Sequence, residues 1–187
     1  MQFSTILAFT FVCHFSTACT STNASTIKAR SGDCPAVAAV TLNALAGDWT
    51  LSINADEGWT GFGESKIRWD EGRKCSLIET ANSVFNQESE TPFENRSSAI
   101  LIVDELSDVM KLLVDDGRGF VHLGESSGLD SLDFEILRRG GNPTTRRIQY
   151  RSFEADSFVW AWQGHGIESG EWEDRLVITY SRKSDHE

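Results

Sequence analysis

The chain has 187 residues, a net charge of −11 and four cysteines. This length suits one domain better than two. The acidic balance, with no block of basic residues, argues against nucleic acid as a partner, because phosphate backbones are bound by clustered Lys and Arg. For the same reason it argues against electrostatic docking on anionic lipids.

The chain opens with a stretch typical of an export signal. Residues 1–18, MQFSTILAFTFVCHFSTA, contain no Asp, Glu, Lys or Arg, and an apolar run from Ile6 to Phe15 precedes the small residues Ser16, Thr17 and Ala18. The run is shorter than the roughly 20 residues that span a bilayer. We therefore predict a signal peptide over 1–18, cleaved after Ala18, and an extracytoplasmic protein that is periplasmic, envelope-anchored or secreted.

Cys19 follows the predicted cleavage site directly. A Cys in this place resembles the acylated Cys of the bacterial lipoprotein lipobox, although Ser16 stands where that pattern usually has Leu. Lipidation at Cys19, which would be the only membrane attachment, and simple secretion both stay open. Residues 19–33 are rich in Ser and Thr and lack periodicity, so we predict a flexible tether. The folded domain is expected over 34–187.

Two cysteines remain once Cys13 is assigned to the leader and Cys19 to the possible anchor. In an oxidising compartment, Cys34 and Cys75 are expected to form a disulfide. They have no His at metal-ligand spacing, which argues against a metal site there.

The folded part reads as one helix followed by about ten short strands. PAVAAVTLNALAG, residues 35–47, is rich in Ala and Leu and ends at a glycine, which favours a short helix. The predicted strands span 48–53, 64–69, 75–80, 98–104, 109–116, 119–125, 131–137, 146–153, 157–164 and 174–183. Their separators are rich in Gly, Asp, Ser and Asn, a pattern typical of an antiparallel barrel or sandwich. The helix, leading into the first strand, is expected to plug one barrel end.

Several short motifs before and after the helix occur in a recognisable order. They are Cys34, Gly47-Asp48-Trp49, Cys75 with Glu79, and Trp172 with Tyr180-Ser181-Arg182. In this order the chain resembles an uncharacterised family of exported bacterial domains with a calycin-type, lipocalin-like β-barrel. The resemblance implies an all-β antiparallel barrel of about 8–10 strands with a short N-terminal helix. It implies no activity, and residues 167–172 depart from the Asp-Gly-Gly turn common in that family.

Glu79 is the first candidate site residue. Cys75, Leu77 and Glu79 share one face of their strand, so an inward Leu77 places the carboxylate inside the barrel. Such a carboxylate needs a partner or a raised pKa. It could anchor a ligand, act as an acid or base, or form a structural ion pair, and the remaining alternative is an exposed residue on the opposite face.

Arg147 is the residue that we predict as the partner of Glu79. With Gln149 and Arg151 it forms the polar face of its strand, and Ile148 and Tyr150 form the other face. A bidentate Arg could also bind an anionic ligand. The alternative is an ordinary solvated strand face.

The stretch FVWAWQGHGIESGEW places Phe158, Trp160 and Trp162 at every second position, and therefore on one face of a strand. Together with Trp49 and Trp69, the two tryptophans are candidate walls of a ligand pocket, and packing in a core is the alternative. The histidines after the leader, at 122, 165 and 186, are not at metal-ligand spacing. We predict neither a metal nor a cofactor.

These observations favour an exported barrel that binds a small, partly apolar ligand in its interior. The candidate ligand-binding residues are Trp49, Trp69, Glu79, Arg147, Trp160 and Trp162. Two alternatives stay open: an enzyme that uses the Glu79–Arg147 pair, and a cell-envelope interaction protein whose barrel is filled by side chains.

Overall fold

The computed structural model describes residues 34–88, 90–139, 142–166 and 169–183. The predicted signal peptide, the tether, Cys19 and His186 lie outside these ranges. Within them, no helix combines the length and the apolar character that crossing a membrane requires.

The described ranges contain one α-helix and ten strands. Helix α1 spans Ala36–Leu45, and the strands are β1 (Gly47–Ala55), β2 (Thr60–Trp69), β3 (Ser76–Asn86), β4 (Phe93–Asp104), β5 (Val109–Asp115), β6 (Val121–Ser126), β7 (Asp133–Arg139), β8 (Asn142–Arg151), β9 (Ser157–His165) and β10 (Trp172–Arg182). Each strand pairs antiparallel with the next, and β10 pairs with β1 to close the barrel. The predicted all-β barrel with a short N-terminal helix is confirmed.

Three strands begin at least four residues earlier than the sequence predicts, and one of them is β8, which starts at Asn142 rather than at residue 146. Strand β4 starts at Phe93 rather than at residue 98, and β2 starts at Thr60 rather than at residue 64. In the first half of β4 the inward positions after Phe93 are held by the polar residues Asn95 and Ser97, so the apolar alternation that marks a strand stops there. Gly61 and Gly63 weaken the same signal in β2.

Helix α1 covers one end of the barrel, which we call the closed end. Ala38, Leu42 and Leu45 on the helix are buried, and the indole Nε1 of Trp49 donates a hydrogen bond to the Leu45 carbonyl at 2.9 Å. The opposite end, where β1 runs into β2 and β9 into β10, is the open end. Because the helix contributes apolar side chains at the closed end alone, the hydrophobic core is concentrated in that half.

The predicted disulfide between Cys34 and Cys75 is confirmed, with 5.1 Å between the two Cα atoms. It fastens the residue ahead of the helix to the loop between β2 and β3. Cys75 is buried in the closed-end core. The bond therefore holds the helix in place over the closed end.

Replacing both cysteines by serine is expected to lower the free energy of unfolding by about 2–4 kcal/mol, because the unfolded chain regains the freedom of the 41-residue loop. Urea unfolding of the Cys34→Ser, Cys75→Ser variant measures this loss. Dithiothreitol is expected to lower the midpoint of the native protein similarly and to leave the double variant unchanged. Equal midpoints for the native protein with and without reductant would contradict the stabilising role.

Candidate ligand-binding cavity

A cavity of about 490 Å³ occupies the barrel between the closed-end core and the open end. Small-ligand sites usually enclose roughly 300–1,000 Å³. Glu79 lines this cavity and also a small gap among the closed-end residues Leu45, Leu77 and Leu101. It therefore marks the floor, where the core ends and the cavity begins.

One wall of the cavity is aromatic and comes from β9 and β10. Trp160, Trp162, Ile178 and Tyr180 line it. Phe158 points the same way but lies deeper in the core, stacked on the Tyr180 ring at 4.3 Å. Alternate residues of β9 thus point inward, and of these Phe158 packs in the core whereas Trp160 and Trp162 line the cavity.

Aromatic rings also surround the cavity at the open end. Phe85 and Phe93 stack with centroids 5.1 Å apart, and Trp59 contacts Phe93 edge-on at 5.4 Å. The Arg118 guanidinium lies 4.5 Å from the Phe93 centroid. Gly117, at φ 72°, makes the turn that carries Arg118 possible, because a Cβ there would collide with the Arg96 carbonyl oxygen. The mouth is therefore apolar with one cation at its rim.

The floor of the cavity is a carboxyl group that has no cationic partner in the described part of the chain. Oε1 of Glu79 accepts hydrogen bonds from Ser65 Oγ at 2.6 Å and from the Tyr180 hydroxyl at 2.9 Å. Burial raises the pKa of Glu79, and these two hydrogen bonds only partly oppose the rise. No described Lys or Arg lies within ion-pair distance of it. A raised pKa favours the protonated acid, which can donate a hydrogen bond to a ligand.

Glu79→Gln is expected to change how stability depends on pH. Because the folded-state pKa lies above the unfolded value, the native protein keeps its full stability below the unfolded pKa and loses stability as pH rises through the folded pKa. Gln has no proton to lose, so the stability of the variant relative to the native protein should grow with pH, by about 1.4 kcal/mol for each unit of pKa elevation.

Urea unfolding at several pH values between 4 and 8 measures this difference. Glu94→Gln, at an exposed position of β4, is the matched control and should shift stability by no more than about 0.5 kcal/mol at any pH. A constant offset between native protein and Glu79→Gln across the range would contradict a raised pKa.

His122 and Asp116 form a second polar group on the cavity lining. His122 Nε2 lies 3.2 Å from Asp116 Oδ2, and the imidazole packs edge-on against Trp162 at 4.6 Å. Burial acts to raise the pKa of Asp116, but hydrogen bonds from the Arg118 amide, His122 and the Phe120 amide outweigh it and lower that pKa. Asp116 is therefore an ionised carboxylate whose oxygens are already engaged by the protein.

The predicted pairing of Glu79 with Arg147 is wrong. Arg147 lies on the outside of the barrel, where Nε donates to Gln163 Oε1, Nη1 lies 3.6 Å from Asp133 Oδ2 and the guanidinium covers the Trp172 ring at 4.7 Å. The reason is the two-residue period of a strand: since Ile148 points inward, its neighbour Arg147 must point outward.

The inward arginine of β8 is Arg146, which the sequence analysis missed. It lines the cavity two residues before the fully buried Ile148. The signal was present in RRIQYRSF, because the face that holds Ile148 and Tyr150 also holds Arg146. Arg147 instead shares a face with Gln149 and Arg151, and that polar face is the outer one.

The tryptophans predicted as pocket walls divide into two groups. Trp160 and Trp162 line the cavity, whereas Trp49 is 1% exposed in the closed-end core and Trp69 packs against that core. Trp59, which sequence reasoning did not select, stands at the mouth. In the part of the chain that the structure describes, no cluster of three or more His, Cys, Asp or Glu could hold a metal ion.

No protein-family model matches this chain, and no curated protein matches it. Among solved structures, Rv2717c from M. tuberculosis gives a TM-score of 0.51 at 16% identity, over 79% of this chain and 98% of that chain. The redesigned β-barrel mFAP1 bound to DFHBI gives 0.41 at 15% identity, over 75% and 97%. The S-type phycobiliprotein lyase CPES from Guillardia theta gives 0.40 at 10%, over 86% and 99%.

The likeness to Rv2717c shows the fold, a lipocalin-like closed β-barrel. At this level of identity it shows the fold alone, because one barrel architecture hosts many unrelated functions. The two lower-scoring structures carry no argument about this chain. The exported family inferred from sequence motifs stays a prediction.

Proposed function

We propose that this protein binds one small, partly apolar ligand in the cavity between Glu79 and the open end. The observation that carries the proposal is the cavity itself: about 490 Å³, walled by aromatic side chains and floored by a carboxyl group. Ligand sites typically combine a mostly apolar wall with a few convergent polar groups that fix orientation.

The alternatives are less well supported by the same geometry. A filled barrel leaves no interior space, and here only the closed-end half is filled. The enzyme predicted from sequence requires Arg147 beside Glu79, and Arg147 is bonded to Gln163 and Asp133 outside the barrel. Ligand binding requires only the side chains that line the cavity and does not need a Glu79–Arg147 pair.

The lining indicates the chemistry of the ligand body. Trp160 and Trp162 offer ring faces and edges along one wall, and Phe85 and Phe93 offer the same at the mouth. Aromatic side chains favour flat or unsaturated partners that stack offset or edge-on. A polar atom at the deep end of the ligand can form a hydrogen bond with the Glu79 carboxyl group, whose pKa is raised by burial.

We also propose that the protein works outside the cytoplasm. The Cys34–Cys75 disulfide supports this, because such bonds persist in oxidising compartments and are rare in reducing ones. Cell fractionation followed by mass spectrometry of the mature N-terminus tests it. An N-terminus at Cys19, acylated or free, is expected, and an intact Met1 on a cytoplasmic protein would contradict export.

Fluorescence titration with N-phenyl-1-naphthylamine tests ligand binding. This uncharged dye, here called the neutral dye, brightens when it leaves water for an apolar site, and its body fits a cavity of this size. We expect saturable binding with one dye per chain, accompanied by quenching of tryptophan fluorescence. Urea-unfolded protein is the control. A folded protein that binds neither this dye nor any of a panel of small aromatic and aliphatic ligands would overturn the proposal.

A further inference from the structure

Arg146 is a cation inside the cavity that has no anionic partner among the described residues. It is half-buried, and no described carboxylate lies within ion-pair distance of its guanidinium. By contrast Arg147 and Arg151, on the outer face of the same strand, each pair with an aspartate. Enclosing a charge is unfavourable unless an opposite charge or hydrogen-bond acceptors compensate it. A bound anion would supply that compensation.

The guanidinium of Arg146 lies against a glycine of the neighbouring strand. Arg146 and Gly164 are direct partners in the β8–β9 register. A Cβ on Gly164 would lie 3.2 Å from Arg146 Cζ and closer still to one of its terminal nitrogens. The absence of a side chain at this buried position therefore lets the guanidinium lie against the strand backbone. Because the guanidinium is already held against the backbone, the arginine side chain loses less conformational entropy when it binds a ligand.

The other charged groups of the cavity do not cancel Arg146. Asp116 is engaged by His122 and by two backbone amides, and Glu79 at the floor accepts hydrogen bonds from Ser65 and Tyr180 and is not within ion-pair distance of Arg146. Arg118 at the rim adds a second cation, which likewise has no ion-pair partner among the described residues. The lining therefore carries two arginines and two carboxyl groups, and the carboxyl groups are hydrogen-bonded to other described residues whereas the arginines have no described ion-pair partner.

We propose that the ligand is an amphipathic anion and that Arg146 binds its anionic group, a carboxylate or a comparable oxyanion. The inference rests on the proposed function and names the ligand class for that site. Because Gly164 lies one residue before the end of β9, the anion lies towards the open end. The apolar body then extends inward along Trp160 and Ile178, and its far end reaches Glu79.

A matched pair of dyes tests this class of ligand. N-phenyl-1-naphthylamine and 8-anilino-1-naphthalenesulfonate share the same aromatic body and differ by one sulfonate group, so we call the second the sulfonate dye. The measured quantity, for each variant, is the dissociation constant of the sulfonate dye divided by that of the neutral dye. In Arg146→Gln, the ratio is expected to move against the sulfonate dye by about 10- to 100-fold, the strength of a hydrogen bond to a charged group.

Arg147→Gln is the matched control, since it removes the same charge from the outer face one residue away, and its ratio should stay within about twofold of the native value. Gly164→Ala provides a second variant that keeps the arginine but displaces its guanidinium, and its ratio should also move against the sulfonate dye. Far-ultraviolet circular dichroism confirms that each variant is folded.

The possible outcomes separate this inference from the proposed function. If the neutral dye binds and Arg146→Gln and Gly164→Ala leave the ratio unchanged, the anionic class is overturned while the ligand-binding barrel stands. If Arg147→Gln moves the ratio as far as Arg146→Gln does, a surface charge effect replaces the cavity site and the inference is again overturned. If neither dye nor any ligand of the panel binds to the native protein, both proposals fail.

Discussion

Ser97→Trp is expected to abolish ligand binding while the barrel stays folded. Ser97 lies on the inward face of β4 and lines the cavity. An indole at this position takes the space that the ligand needs, so the dissociation constant of the neutral dye should rise by at least about 100-fold, corresponding to the loss of about 3 kcal/mol of binding free energy. Dye titration measures the change directly.

Stability is the second readout of the same variant. Overfilling a packed core usually costs about 1–3 kcal/mol, but here the new ring enters an existing cavity, so the cost should be at the low end of that range. Thr80→Trp is the control, because Thr80 pairs with Ser98 beside this position and its side chain is exposed. A folded Ser97→Trp protein that binds the dye as tightly as the native protein would place the ligand outside the cavity.

Trp49→Ala is expected to cause the largest loss of stability, about 3–5 kcal/mol. The ring is 1% exposed, meets Phe158 edge-on at 4.9 Å and donates a hydrogen bond to the carbonyl of Leu45 at the end of the helix. Removing it leaves a cavity in the closed-end core and breaks a hydrogen bond between the barrel and the end of the helix. Urea unfolding of the variant measures the loss.

Trp172→Ala is the matched control for this prediction. Its ring lies at the barrel surface, against the Arg147 guanidinium and the His165 ring, and its removal should cost about 1 kcal/mol. Folded Trp49→Ala protein should bind the neutral dye with native affinity, because Trp49 does not line the cavity. A small loss of stability with a large loss of dye binding would instead make Trp49 a pocket residue.

Alternation along each strand was enough to predict which face a residue occupies. It correctly put Phe158, Trp160 and Trp162 on one inward face and gave ten strands in the observed order. The alternation does not predict how far along the barrel axis a residue lies. Trp49 and Trp162 follow the same local pattern, yet one lies under the helix and the other in the cavity. That difference depends on where a distant element, α1, fills the interior.

The error at β8 has a different origin. The alternation that assigned Ile148 and Tyr150 to one face already assigned Arg146 to that face, but we chose Arg147 because it completed a polar series. The partner of Arg146, Gly164, could not be found locally, since the pairing depends on the register between β8 and β9. Likewise, Asn95 and Ser97 concealed the start of β4 because they face a cavity rather than a core.

The side-chain resonances of the six tryptophans test the central claim most directly. Nitrogen-15 correlation spectra, assigned with single Trp→Phe variants, report each indole N–H during titration with the neutral dye. The tryptophans that line the cavity are Trp59, Trp160 and Trp162, and those that do not are Trp49, Trp69 and Trp172. We expect the first three resonances to shift with dye concentration and the last three to stay in place. Movement confined to Trp49, Trp69 or Trp172 would contradict binding in the cavity.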